Sequence, residues 1–303
     1  MIMGSKVACA MAISIFILAG ATFVASAEDT FRWSGVRGGH TMTKDECRWP
    51  VTSVWVVVAG KGECLRYFHA GLGATNPQAH LFIHGDFRAA NYRTSAGKIQ
   101  ARVDDEHRGI KTGHIRLSRP GILGSSGNYR KNRRSLREAR LVNAAIDGIK
   151  MKHRIGRFDL TGQSSGGRLV GILLTMRDDI RCAVSASGGL AQRQLIALRG
   201  RKWKRFIVDP ISIVAKIPKG PNRRIILLGD QWDQVVPFVI QQSYHQAIVA
   251  GGHRTLLIAT RGKARGKNYH GLTSVALRVA RWCGDGLDDT EIQERVARIP
   301  NRG

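Results

Sequence analysis

The sequence has few acidic residues, and it lacks the motifs of nucleic-acid-binding proteins. Its 303 residues include 22 aspartates and glutamates against 48 lysines and arginines, a formal net charge of +26. Such a charge favours anionic partners. However, we find no helix-turn-helix, zinc-finger or stacking-aromatic pattern, so we expect no nucleic acid. The basic stretches 129–140 and 199–206 are interpreted either as a solvated face or as a contact with anionic envelope lipid or polysaccharide.

Long apolar runs are also absent, with one exception at the N-terminus. This run extends from about residue 7 to residue 24, follows Lys6 and is succeeded by the small residues Ala-Ser-Ala at 25–27. The pattern predicts a signal peptide, residues 1–27, and hence a periplasmic or secreted protein. An uncleaved membrane anchor is the alternative, since the run is just long enough to span a bilayer.

Cysteine is scarce, and one of the five cysteines, Cys9, lies in the predicted signal peptide. In an oxidising compartment the remaining four can pair in three ways. Cys47 and Cys64 flank an apolar run, so we predict a Cys47–Cys64 disulfide that staples a hairpin. Free buried thiols are the alternative. The cysteine spacings do not resemble a zinc site, and the sequence indicates no metal and no cofactor.

Beyond residue 50, short apolar runs alternate with helix-like runs. From about residue 80 onward this alternation predicts a mostly parallel central sheet with helices on both faces, an α/β fold. Two β-rich runs, 51–60 and 64–71, predict an antiparallel hairpin at the N-terminal edge of the sheet. We expect an irregular segment at 28–49 and a single domain at 50–303. Within that domain, the basic, proline-containing stretch 190–222 is interpreted as an insertion that covers a site.

The stretch FDLTGQSSGG, residues 158–167, carries two adjacent serines in a glycine-rich turn. Gly162 to Gly166 fit the pattern G-x-S-x-G with Ser164 at its centre, between a predicted strand and a predicted helix. A strained turn of this kind exposes a serine hydroxyl, and small residues on either side let strand and helix approach closely. The pattern therefore predicts Ser164 as a nucleophile.

Two other interpretations of this stretch are excluded by neighbouring residues. A phosphate-binding P-loop needs Lys followed by Ser or Thr after its second glycine, whereas Gly167 and Arg168 occupy those positions. A dinucleotide-binding fingerprint needs a second glycine where Ser164 lies.

A serine nucleophile needs a positioned base and an orienting carboxylate. In a fold of this type both follow the serine in the order Asp, His. Asp233 follows a predicted strand, and His270 lies in a loop before a predicted helix. We predict Ser164, Asp233 and His270 as a catalytic triad. Asp230 follows the strand directly and is the alternative acid, or a residue that orients the loop.

These motifs resemble those of the α/β-hydrolase superfamily, nearest to its prolyl-oligopeptidase-like and dienelactone-hydrolase-like branches. The resemblance covers roughly residues 50–285 and rests on HGD at 84–86, GQSSG at 162–166, GDQWDQVVP at 229–237 and NYHG at 268–271. It implies the fold, a serine-nucleophile mechanism and an oxyanion hole of two backbone N–H groups. One would belong to Ser165 and the other to Asp86, with Phe87 as the alternative.

The sequence thus predicts an exported serine hydrolase that cleaves a small ester or a short peptide through an acyl-enzyme. Esterase and peptidase both stay open, although 303 residues leave no room for the large propeller domain that oligopeptidases usually carry. A catalytically silent protein of the same fold, binding an anionic envelope polymer through its basic surface, is the alternative function.

Overall fold

The computed structural model describes Met1 and residues 30–32, 39–48, 52–86, 93–220, 223–261 and 268–300. The strands are β1 (Thr30–Arg32), β2 (Ser53–Val58), β3 (Lys61–Ala70), β4 (Asn76–Ile83), β5 (Arg93–Ser95), β6 (Gly113–Leu117), β7 (Ile155–Gln163), β8 (Ile180–Ala186), β9 (Arg224–Gly229) and β10 (Thr255–Ala259). The helices are α1 (Ala96–His107), α2 (Tyr129–Asn132), α3 (Leu136–Lys152), α4 (Ser165–Leu173), α5 (Gln192–Leu198), α6 (Val239–Ala250), α7 (Thr273–Gly284) and α8 (Asp289–Ala297). The predicted signal peptide, beyond Met1, lies outside the described residues.

Eight strands form one sheet in the order β10-β9-β8-β7-β4-β6-β3-β2. Every neighbouring pair from β10 to β6 is parallel. Strand β3 runs antiparallel to both β6 and β2, so the hairpin of β2 and β3 forms an antiparallel edge. The predicted α/β fold class, with its N-terminal edge hairpin, is confirmed.

Helices cover both faces of this sheet, which explains the apolar sequence of its central strands. Strand β9 is buried at all six positions, whereas the edge strand β2 mixes buried and exposed residues. One core cluster joins the sheet to α3, α4 and α6, through side chains such as Ile146, Leu169 and Ile248. The second cluster lies around α7 and α8, where Val279 and Ile292 are fully buried. A strand covered on both faces has no solvated side, so it reads as a continuous apolar run.

The stretch 28–49, which we expected to be irregular, and the stretch 190–222, which we interpreted as an insertion, both contain regular structure. In the stretch 28–49, β1 pairs antiparallel with β5, and a 3-10 helix follows at Glu46–Arg48. The stretch 190–222 contains α5 and a 3-10 helix at Pro210–Lys216. These elements are only three to seven residues long, too short for hydrophobic periodicity to reveal them. Residues 221 and 222 lie outside the described part.

Two disulfides connect distant parts of the chain. The predicted Cys47–Cys64 bond is present and ties the 3-10 helix before β2 to β3. Cys182–Cys283, which the sequence did not single out, ties β8 to α7. The alternative of free buried thiols is therefore wrong for all four cysteines. Within the described ranges, every helix is too short or too polar to cross a bilayer.

Candidate active site

Ser164 occupies a strained turn between β7 and α4. Its φ of 58° and ψ of −119° lie in a region that non-glycine residues rarely adopt. The strain is held by the neighbouring strand, since the Ser164 N–H donates to the Ala186 carbonyl at 2.8 Å. Backbone strain of this kind is maintained only where the surroundings over-determine the conformation, as at functional sites.

The two glycines that flank Ser164 are required by close backbone approaches. A Cβ on Gly162 would lie 2.3 Å from the Gly166 carbonyl oxygen. A Cβ on Gly166 would lie 2.1 Å from the Ile83 carbonyl oxygen at the end of β4. Both distances are far below van der Waals contact, so the pattern G-x-S-x-G follows from the packing of the turn.

His270 lies between Ser164 and Asp233 and contacts both. Its Nδ1 is 2.8 Å from Asp233 Oδ2, and its Nε2 is 2.8 Å from Ser164 Oγ. An ionised carboxylate only accepts hydrogen bonds, so the proton lies on Nδ1 and Nε2 accepts from the serine hydroxyl. The structure therefore brings the three predicted residues into one hydrogen-bonded chain.

Asp233, not Asp230, contacts the histidine. The Asp233 side chain is fully buried, and its Oδ1 accepts from the N–H groups of Val235 and Val236 at 2.7 and 2.8 Å. Its other oxygen is left for His270. Asp230 instead stabilises the turn, because its Oδ1 accepts from Trp232 N–H and its carbonyl accepts from Asp233 N–H.

Two amides that the sequence did not single out position the histidine loop. Gln163 Nε2 donates to the His270 carbonyl at 2.9 Å, and Asn268 Oδ1 accepts from the His270 N–H at 3.2 Å. The Asn268 carbonyl also accepts from Gln234 N–H, which joins the histidine loop to the aspartate loop. Gln163 precedes the serine in the motif, but nothing in the pattern specifies an amide there.

The residues predicted for the oxyanion hole lie at two converging backbone segments. Ser165 is the first residue of α4, so its N–H is among the donors that a helix leaves without an intrahelical partner. Asp86 follows β4, and its carboxylate accepts from Arg119 at 2.8 Å, from Tyr129 at 2.5 Å and from Arg133. Burial raises the pKa of Asp86, but the two arginines outweigh burial and lower that pKa far below the usual range. The side chain is thus ionised and engaged elsewhere. Phe87 lies outside the described residues.

The histidines of β4 and β6, and His84 directly after β4, are buried and neutral. His84 Nδ1 lies 2.8 Å from the Gly85 carbonyl oxygen, and burial lowers the pKa of His84 to about 3. His80 contacts His114 and Thr161, each at 2.8 Å. No group of three or more His, Cys, Asp or Glu side chains in the described part of the chain is arranged to hold a metal ion.

A cleft of about 920 Å³ opens onto Ser164 and His270, a volume typical of small-molecule sites. Its lining includes Leu195, Val235, Val236, Arg133, Arg134, Arg168 and Arg199, and also Arg102, Asp105, Glu106, Arg116, Thr273, Ser274 and Leu277. Arg134 interacts electrostatically with Arg133 and Arg199, whereas Arg116 forms an ion pair with Glu106. The serine hydroxyl lies on the wall of this cleft, where a substrate carbonyl could reach it.

Comparison with solved structures identifies the fold. Acylaminoacyl peptidase from Pyrococcus horikoshii matches with a TM-score of 0.58 at 13% identity, over 79% of this chain but 43% of the peptidase. Est1E from Butyrivibrio proteoclasticus matches with a TM-score of 0.54 at 12% identity, over 78% of this chain and 98% of Est1E. The esterase Pf2001 from Pyrococcus furiosus matches with a TM-score of 0.54 at 13% identity, over 86% and 98%. No family model and no curated protein matches the sequence. The chain thus spans less than half of the peptidase, and these likenesses show that it has the α/β-hydrolase fold.

Proposed function

We propose that this protein is an exported serine hydrolase that cleaves a small ester or amide through an acyl-enzyme. The observation that carries the proposal is the hydrogen-bonded chain from Asp233 through His270 to Ser164, with 2.8 Å at each contact. It ends on a serine whose positive φ places it at the tip of the turn between β7 and α4. A serine hydroxyl is activated as a nucleophile when a base lies within hydrogen-bond reach of it and an orienting acid lies within reach of the base.

In the proposed acylation step, His270 Nε2 takes the proton from Ser164 Oγ as the oxygen attacks the substrate carbonyl. Asp233 accepts a hydrogen bond from His270 Nδ1–H, which keeps the useful tautomer and stabilises the imidazolium that forms. The imidazolium then gives its proton to the leaving alcohol or amine. Water, activated by the same imidazole, releases the acyl group and restores the serine.

The backbone N–H groups of Ser165 and Asp86 are proposed to stabilise the tetrahedral oxyanion. Donors fixed before the reaction lower the barrier because they need no reorganisation as charge develops. The N-terminus of α4 adds a positive field at the same position. The Asp86 carboxylate does not oppose this field, because Arg119 and Arg133 neutralise it.

Esters are the substrates that the comparisons favour. The structure matches 98% of the esterases Est1E and Pf2001, so nearly every part of those chains has a counterpart here. Ferulic acid is bound in one structure of Est1E. For the acylaminoacyl peptidase the match covers 43%, which makes peptide hydrolysis the second activity to test.

Export is proposed from two independent features. The N-terminal run ends in a small-residue cleavage pattern. The four cysteines beyond it form two disulfides, and such bonds persist in oxidising compartments.

The proposal is tested by labelling with a fluorophosphonate probe and by turnover of p-nitrophenyl esters and aminoacyl p-nitroanilides. We expect wild-type protein to be labelled and active, and Ser164→Ala to lose both. Ser165→Ala is the matched control, since it removes the adjacent hydroxyl but keeps the backbone N–H, and it should still be labelled. Hydrolysis that survives in Ser164→Ala would refute the assignment. A folded wild-type protein with neither labelling nor turnover would favour the catalytically silent, polymer-binding alternative.

A further inference from the structure

Four arginines line the cleft together with Ser164: Arg133, Arg134, Arg168 and Arg199, here called the arginine cluster. They come from three parts of the chain, namely the segment around α2, the helix α4 and the end of α5. Arg134 interacts electrostatically with each of the other three, so the four charges lie close together. Lysine and arginine side chains usually extend into solvent, so four neighbouring guanidinium groups that line a cleft need a physical account.

Arg168 is the most unusual member of the cluster. It is 1% exposed, and its Nη2 donates to Glu138 Oε2 at 2.6 Å. Its Nε and Nη1 are buried and have no hydrogen-bond partner among the residues that the structure describes. Glu138 cannot accept hydrogen bonds from these two nitrogens as well, because its other carboxylate oxygen accepts from Arg119. A buried charged donor that is left without a partner is costly, so the site is incomplete without an acceptor.

Arg134 is a second member of the cluster without a compensating carboxylate. It is half-buried, and its side chain forms no ion pair within the described part of the chain. Burial, followed by the charge of Arg133, lowers the pKa of Arg134. Its backbone has a φ of 69°, and its N–H donates to Glu138 Oε2. The backbone of Arg134 is thus held by the same glutamate that binds Arg168.

The carboxylates around the cluster do not balance its charge. Asp86 binds Arg133 and Arg119, while Glu138 binds Arg168 and Arg119. With Arg119 included there are five guanidinium groups, of which Arg119, Arg133 and Arg168 are paired with these two carboxylates. Arg199 instead donates to the Val235 carbonyl. Asp233 lies within electrostatic range of Arg199, but its oxygens are taken by His270 and two backbone N–H groups.

The other charged residues of the lining are balanced in number, with Arg102 and Arg116 against Asp105 and Glu106. Arg116 forms two hydrogen bonds with Glu106, at 2.8 and 3.0 Å, and Asp105 is paired with Arg108. The positive surplus of the cleft lining therefore comes from the arginine cluster.

We infer that the arginine cluster binds an oxyanionic group, a carboxylate or a phosphate, carried by the ester substrate. Guanidinium groups bind both anions by paired, charge-assisted hydrogen bonds. The Arg168 N–H donates to the Ser164 carbonyl, so this arginine lies one helical turn, about 6 Å along the axis, from the nucleophile. Leu195, Val235 and Val236 line the same cleft, and the Val235 carbonyl accepts from Arg199. This suits a short apolar spacer between the anion and the scissile carbonyl. The inference rests on the proposed serine hydrolase function.

The test compares two esters of equal acyl length, p-nitrophenyl valerate and the p-nitrophenyl monoester of glutaric acid. We expect wild-type protein to show kcat/KM at least about tenfold higher for the glutarate ester. Arg134→Gln should lower this preference by about tenfold, through a fall in kcat/KM for the glutarate ester that exceeds any change for valerate. Arg134→Lys should restore part of the preference. Arg130→Gln, which removes the same charge from an exposed position on α2, is the control and should keep the preference.

A binding measurement makes the inference independent of turnover. Ser164→Ala protein is titrated with glutarate and with inorganic phosphate by calorimetry, and the titration is repeated with Arg134→Gln and Arg168→Gln added separately. Heat that disappears in both double variants supports the cluster, and the anion that binds more tightly identifies the group. Circular dichroism checks the fold of Arg168→Gln, since that change also disturbs Glu138.

The outcomes separate the two proposals. An active, probe-labelled protein that prefers valerate, or in which Arg134→Gln changes both esters equally, would overturn the inference and leave the hydrolase function standing. Absence of labelling with intact anion binding would refute the hydrolase function and, with it, the ester substrate that the inference places at the cluster. A Ser164→Ala protein that binds neither anion also overturns the inference.

Discussion

At the scale of single residues, Asp233 divides its two roles between its two oxygens. Oδ1 is occupied by two backbone N–H groups and Oδ2 faces His270. The carboxylate therefore cannot rotate without losing hydrogen bonds on both sides. Asp230 lies three residues earlier and is equally buried, but its carboxylate accepts from a backbone N–H in its own turn. Two acids of similar burial are thus assigned different roles by what they contact.

This difference predicts unequal effects of two matched substitutions. Asp233→Asn should lower kcat by up to about 10⁴-fold, because an amide can hold His270 in the wrong tautomer. Asp230→Asn keeps an acceptor for Trp232 N–H and should lower kcat by less than about tenfold. Steady-state kinetics on a p-nitrophenyl ester, with thermal melting to confirm the fold, checks the pair. Equal losses in both variants would contradict the assignment.

Gln163 gives a second prediction at this scale. Its amide donates to the His270 carbonyl, so Gln163→Ala should let the imidazole drift from Ser164 Oγ. We expect kcat to fall by about tenfold to a hundredfold while KM changes little, because small misplacements of a catalytic group are costly. Gln242→Ala, at an exposed position on α6, is the control for loss of an amide. An unchanged kcat in Gln163→Ala would show that the loop holds the histidine without it.

At the scale of elements, features encoded in one contiguous stretch of sequence were predicted, whereas features that depend on long-range packing were not. The strand–turn–helix around Ser164 was predictable because motif, apolar strand and helix are contiguous. The apolar spacing over residues 135–151 likewise predicts a helix, and α3 runs over Leu136–Lys152 with Ser135 as its N-cap. The insertion of β4 between β6 and β7 was not predictable, because strand partners are chosen by long-range packing.

Helices that bury little apolar surface were also not predicted from the sequence. Helix α1 buries only Ile99 and Val103, and α8 buries only Ile292 and Val296. Two apolar residues give too weak a periodicity to distinguish a helix from a polar loop. The arginine cluster escaped prediction for a related reason. Its members belong to three separate parts of the chain, and only the fold brings them together in one cleft.

The two disulfides close loops of very different length, and the longer loop should stabilise the fold more, although only logarithmically with its length. Cys47–Cys64 spans 17 residues and Cys182–Cys283 spans 101. In the chain-entropy account, removal of the first should cost about 3 kcal/mol of unfolding free energy and removal of the second about 5 kcal/mol. Denaturant unfolding of the two double Cys→Ala variants measures both costs. A larger loss for the Cys47 and Cys64 pair would contradict the loop-length account.

At the scale of the whole molecule, the fold buries several histidines in their neutral form. Burial lowers the pKa of His84 to about 3, and burial followed by the charge of His114 lowers the pKa of His80 well below 6.5. For His114, too, burial is the largest cause of a lowered pKa. In the unfolded chain such groups take up a proton near pH 6.5. The unfolded state therefore binds more protons as the pH falls, and the folded state loses stability.

This proton balance predicts that acid destabilisation begins near pH 6.5, above the range where carboxylates titrate. Burial raises the pKa of Glu106, but its hydrogen bonds with His114 and Arg116 outweigh burial and lower this pKa to about 2. The stability that ionised Glu106 contributes is therefore lost only below about pH 4.5. Between pH 7 and pH 5, the single imidazole of His84 should therefore cost about 2 kcal/mol of unfolding free energy. Denaturant unfolding at intervals of half a pH unit measures this loss.

Substitution separates the histidine effect from the general repulsion of a strongly basic chain. His84→Gln cannot take up a proton, so its unfolding free energy should fall about 2 kcal/mol less than that of wild type between pH 7 and pH 5. His40→Gln, at an exposed position, should follow the wild-type curve. Net charge repulsion would act on all three proteins alike, because it depends on the total charge of +26 and is weakened by salt. Parallel curves for the three proteins, flattened together by added salt, would therefore assign acid sensitivity to net charge and contradict the role of the buried imidazole.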